Sequence, residues 1–218
     1  MKIKYTVDPN LVKAGSKAFR SYEKRDAMYK VATFLVDHFW GKSPEMADAL
    51  GVLLLTWNNA LYRYGIFDFF ALEATLRKNM NTLKAFRDRD IKSFTDEDRK
   101  KTKELFTEFL DALKIADGKK KGTKSPVAVA KALHLLAPAF FPLWDYKIAK
   151  GYGCNYSTNP ISKYLTFIQI SKDIADELKD KVQTGGSTLL KVIDEYNYAR
   201  FTKNLICQQS GESYNFKK

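Results

Sequence analysis

The chain has 218 residues, 45% of them apolar, enough for one compact helical domain or two closely packed lobes. Its formal net charge of +12 and pI near 9.5 favour a polyanionic partner, because a basic surface attracts phosphates and gains entropy as counterions are released. With two cysteines far apart, Cys154 and Cys207, a CxxC metal motif and a dense disulfide framework are excluded.

The N-terminus, MKIKYTVDPN, is polar and alternating, and only residues 2–7 have the pattern of a short strand. From there apolar residues recur at helical spacing. Asp8-Pro9, Ser43-Pro44 and Ser125-Pro126 each offer a capping side chain followed by proline at the first helical position, where a missing N–H costs nothing. The pattern predicts helices over 9–20, 23–40, 44–64 and 69–88. Thr95 and Asp98 form a capping-box pair that opens a helix to about 114, with Leu105, Phe106, Phe109, Leu110 and Leu113 on one stripe. Further helices are predicted over 126–137, 145–151, 160–182 and 187–208. The fold expected is all-α, with at most a short N-terminal strand. The charged loop 116–124 is the candidate joint between lobes 1–115 and 116–218.

The chemistry is narrowed first by what is missing. His38 and His134 lie on different predicted helices with no cysteine or carboxylate at a ligand spacing, so no metal site is expected. GKKKGTKS is not a phosphate-binding loop, since its second glycine comes too early. No cofactor is implied. No apolar run approaches a membrane span, and the expectation is a cytoplasmic protein with free thiols.

What remains is the stretch 118–150, which holds seven lysines and a single acid, Asp145. Lys131 and His134, three apart, share a face of the helix over 126–137. Pro138 ends that helix, Pro142 stiffens the Phe140–Trp144 turn, and Asp145 opens the next helix among aromatic rings. The basic residues Lys119, Lys120, Lys121, Lys124, Lys147 and Lys150 are candidate phosphate contacts, either with helix-terminal amides or as plain solvated charges. His134, Trp144, Trp57 and Asn58 are candidate pocket residues; the alternative reading of each is core packing, with one buried amide and a satisfied histidine. Asp145 is equally readable as a simple helix cap, and Lys131 as its salt-bridge partner.

This arrangement of glycine-containing loop, lysine-bearing helix, proline turn and aspartate resembles the core of the helix-hairpin-helix DNA glycosylases over about residues 96–153. The resemblance implies a two-lobed helical, DNA-binding protein. In that superfamily the aspartate, here Asp145, assists loss of a base, and in bifunctional members a lysine, here Lys131, attacks the sugar as an AP lyase. The chain departs from the pattern in two places. Gly122-Thr123-Lys124 lacks the second hairpin glycine, and Lys131 precedes Asp145 by only 14 positions. Lys131–Pro138 and Phe141–Asp145, with Trp57-Asn58 upstream, also resemble a group of bacterial proteins of unassigned function. Three readings follow: a DNA-binding protein with base-excision activity, a nucleic-acid binder without catalysis, and an interaction module for an acidic protein.

Overall fold

The computed structural model describes residues 5–206. Among them are ten α-helices: α1 (Pro9–Tyr22), α2 (Ala27–His38), α3 (Ser43–Trp57), α4 (Asn59–Tyr62), α5 (Phe69–Arg87), α6 (Asp96–Ala112), α7 (Pro126–Leu136), α8 (Tyr146–Gly151), α9 (Pro160–Leu178) and α10 (Leu189–Asn197). Two 3-10 turns, Ile91–Ser93 and Gly118–Lys120, interrupt the connections, and α10 runs into a π-helical turn, Tyr198–Thr202. The all-α class is as expected. Of the candidate strand, residues 2–4 lie outside the described residues and 5–7 are in no regular element.

Helix starts follow local side-chain chemistry. Asp8 accepts from the Asn10 amide, Ser125 from the Ala128 amide and Asp145 from the Ile148 amide, and Thr95 and Asp98 form the reciprocal box. Ser43 differs from expectation, being the first helical residue and not the cap. The helix predicted over 44–64 is broken. Asn58 leaves helical geometry (φ −115°, ψ 27°) and separates α3 from α4, because its side chain bonds to partners on α7 and at its cap in place of continuing the turn. The last predicted helix also stops early, at Asn197, where the backbone widens into the π turn; Cys207 lies outside the described residues.

The helices enclose one buried apolar cluster that extends in sequence from Val7 to Tyr196. α7 sits at its centre, packed on α2, α3, α6 and α9, and from Ala128 to Leu136 it is buried everywhere except at Lys131. α10 is the second central helix, covered by α1 and α9. Gly15 allows the α1 crossing, since a Cβ there would lie 2.8 Å from the Tyr196 ring and 3.0 Å from its Cα. As a result α10 is buried along its whole circumference from Leu190 to Asn197, charged residues included. Those charges must find partners inside the protein.

Candidate functional site

A cavity of about 720 Å³ opens between the start of α2, the α3–α4 break, α7, α8 and α10. Trp57, Trp144, Tyr146 and Tyr156 supply much of its wall, and Asn58, Lys131 and Asp145 line it together with Asp26, Lys191 and Asp194. The tertiary fold thus gathers Lys131, Asp145, Trp57, Asn58 and Trp144, five of the residues singled out in the sequence, around one space. His134 is outside it, and so are Lys119, Lys120, Lys121, Lys124, Lys147 and Lys150.

Lys131 is the one residue between Ala128 and Leu136 of α7 that is not fully buried, and the only lysine of that helix. Its Nζ donates to Asn58 Oδ1 at 2.6 Å and to the Trp57 carbonyl at 3.0 Å, both acceptors exposed by the break between α3 and α4. Neither acceptor carries a charge, so burial dominates and pulls the amine down to about 8, with the more distant Asp145 and Asp194 opposing. Lys131 and Asp145 share the cavity without forming a direct ion pair. Asp145 is at once a helix cap, through Oδ1 to the Ile148 amide at 2.7 Å, and the acceptor of the Thr202 hydroxyl, through Oδ2 at 3.1 Å. The π turn therefore helps to hold the carboxylate at the cavity wall.

The sequence reading missed the acidic floor. Asp194 is buried, and its Oδ2 lies 3.5 Å from Lys191 Nζ, which in turn lies 2.9 Å from Asp26 Oδ2. These contacts are ion pairs without well-aligned hydrogen bonds. Burial raises Asp194 to about 6; Lys191 opposes the rise, and Asp145 and Asp26 add to it. Lys191 moves the other way from a simple buried amine: burial acts to lower it, but Asp194 and Asp26 outweigh that and leave it raised. Its ammonium is further packed between the Tyr29 and Phe19 rings, 4.4 and 4.7 Å from their centroids. Asp26 has φ 43° and ψ 45°, a left-handed geometry that only a few non-glycine residues adopt, and its carboxylate pairs with Lys191 while leaving α2 uncapped. Periodicity could not flag Asp194, because a Lys-x-x-Asp pair on an amphipathic helix normally marks its solvated face.

His134 is fully buried, and burial lowers it to about 3. Its Nδ1 lies 2.7 Å from the Phe141 carbonyl, which can only accept, so Nδ1 carries the proton and Nε2 accepts from the Tyr29 hydroxyl at 3.0 Å. The neutral ring thus ties α7 to the Phe140–Trp144 turn and to α2. Tyr29→Phe is expected to cost about 1–3 kcal/mol in urea unfolding, by leaving Nε2 buried without a donor. Trp144 is 1% exposed, and its indole N–H has no hydrogen-bond partner among the described residues.

The basic candidates divide. Lys124 pairs with Asp111 at 2.6 Å and Lys147 donates to the Thr202 carbonyl at 3.0 Å, whereas Lys119, Lys120, Lys121 and Lys150 are exposed. Lys120 lies 5.8 Å from the Tyr64 ring centroid. Among the described residues no group of three or more His, Cys, Asp or Glu is placed to hold a metal, and no helix is long and apolar enough to cross a membrane. No protein-family model, curated protein or solved structure matches this chain.

Proposed function

We propose that this chain binds nucleic acid, DNA in preference, and draws one nucleotide into the cavity for base-excision chemistry, with Lys131 as nucleophile and Asp145 as the carboxylate beside the sugar. The observation that carries this reading is a separation of charge. The whole chain is at +12, yet the cavity is lined by four acids, Glu23, Asp26, Asp145 and Asp194, against two lysines. Phosphates are drawn to the exterior and repelled from the interior, where a developing sugar cation is favoured instead. Aromatic walls supply stacking faces for an extruded base, and a chamber of about 720 Å³ is large enough for a nucleotide. Lys131 fits the nucleophile role because its amine is half neutral near pH 8.

The chemistry asks little else of the protein. As the bond between C1′ and the base breaks, its electron pair leaves with the base and C1′ becomes electron-poor next to Asp145. The Lys131 amine forms the new bond to C1′, loses a proton to water, and the ring oxygen departs with a proton to leave an imine. The test is binding of fluorescent duplex DNA, intact and with an abasic site, over a salt series, with borohydride added to reduce any imine. Salt-sensitive binding with a covalent adduct is the expected result. Binding without an adduct would leave base release without a lysine nucleophile or plain recognition, and no binding at low salt would remove nucleic acid altogether.

A second reading has its own observation. α2 exposes Met28, Val31 and Phe34 at helical spacing, with Phe34 64% accessible. Such a stripe fits the face of a protein-interaction module, which the same binding assay would leave as the surviving function.

A further inference from the structure

Of the other carboxyl groups that line the cavity, Asp194 is the most deeply set, on α10, and its surroundings differ from those of Asp145. Asp145 sits at a helix start, accepting from the Ile148 amide and the Thr202 hydroxyl. Asp194 projects from the centrally buried α10 with only 11% of its side chain accessible, and it is paired with Lys191 at 3.5 Å. An acid kept partly protonated near neutrality, next to one held as a hydrogen-bonded acceptor, is the division of labour used wherever a bond to a sugar carbon is broken with protonation of the leaving group.

We propose that Asp194 is the proton donor to the departing base, a role that rests on the base-excision reading of this cavity. Its carboxylic acid gives the proton to a ring nitrogen or exocyclic oxygen of the base as the C1′–N bond breaks. The bonding pair goes to the base, which leaves without negative charge, and Asp194 is left as a carboxylate against the Lys191 ammonium. The positive charge that appears on C1′ is met by Asp145. Lys191 is then a positioning residue: it carries the compensating charge for the spent acid, and Asp26 orients it from the start of α2 at 2.9 Å.

The groups that face Asp194 act in both directions. Lys191 on α10 favours its ionised form, whereas Asp145 before α8 and Asp26 before α2 favour the protonated one, and burial places the balance at about 6. Lys131 on α7 and Tyr29 on α2 also feel the Asp194 charge. The acid form therefore predominates below pH 6 and is lost as pH rises through it. Base release should fall over that range, while neutral Lys131 increases only at higher pH.

The experiment measures two steps separately on the full chain. One substrate set is duplex DNA with a single uracil, hypoxanthine, 8-oxoguanine or 7-methylguanine; the other is the same duplex with an abasic site, where no base remains to be protonated. The expected outcome is base release from at least one duplex that declines above pH 6, drops about 100-fold in Asp194→Asn with loss of that pH dependence, and is partly restored in Asp194→Glu. Borohydride-trapped adduct at the abasic site persists in Asp194→Asn. Base release by Asp194→Asn at the parental rate would overturn the proposal. So would an adduct at the abasic site with no base release from any duplex by the unaltered protein, a result that leaves the Lys131 reading intact. Equal loss of release and adduct in both Asp194 variants would show a structural role and overturn it as well. Absence of both base release and adduct in the unaltered protein removes the base-excision reading, and the proposal with it.

Discussion

Lys191→Met is expected to lower the unfolding free energy by about 3–5 kcal/mol at pH 7.5, the range found when one member of a buried charge pair is removed. The side chain of Lys191 is 3% accessible, so its ammonium is the internal counter-charge for Asp194 and Asp26. Methionine would fill most of the volume between Tyr29 and Phe19 but would leave the two carboxylates facing each other. The loss should shrink on going to pH 5. Asp194 has a folded pKa raised to about 6, above the ordinary carboxylate value of about 3.9. A raised acid weakens the fold as pH climbs from about 4 through 6, because the folded state must then hold a charge that the unfolded chain holds in water. Without Lys191 that penalty is larger above pH 6 and vanishes on protonation. Urea unfolding at the two pH values checks this, and an equal loss at both would show that packing, not charge, is what Lys191 supplies.

Adduct formation at an abasic site is expected to rise through a midpoint near pH 8 and to disappear in Lys131→Gln. At pH 7 roughly 10% of an amine with this proton affinity is neutral, whereas an ordinary lysine near 10.4 would be neutral only at about 0.04%. The difference arises from what holds the amine: two uncharged oxygens, of Asn58 and Trp57, in a largely enclosed position. Glutamine keeps a donor toward Asn58 while lacking the nucleophile, so thermal unfolding of the variant should stay close to that of the parent. An adduct in Lys131→Gln, or a midpoint near 10 in the parent, would transfer the chemistry to another lysine. Asn58→Asp supplies a converse test. A carboxylate against the ammonium favours its charged form, so the midpoint should move upward and the rate at pH 7 should fall about tenfold for each unit of that move.

Most of the helices were legible along the chain because near neighbours signal them. Asp8, Ser125, Thr95 with Asp98, and Asp145 mark starts through bonds that span two or three residues, and apolar stripes mark the faces that pack. Lys131 and Asp145 were visible for a related reason: a lysine on a helix that is apolar apart from His134, and a lone acid in a basic stretch, depart from their local background. The interruption at Asn58 was not visible, since the bonds that bend the backbone there come from Ser125 and Lys131 on other elements.

The acidic floor of the cavity belongs wholly to the tertiary level. Asp26, Lys191 and Asp194 come from the two ends of the chain, and each has the look of a surface charge in its own segment. They become an internal cluster only when α1 closes on α10, at the approach that Gly15 permits, and turns what would be the polar face of α10 inward. Short-range chemistry therefore decides where helices begin and which faces are apolar. Which charges lose their water, and so which acid is raised above the ordinary carboxylate range, depends on packing between segments more than 160 residues apart in sequence, and no local pattern encodes it.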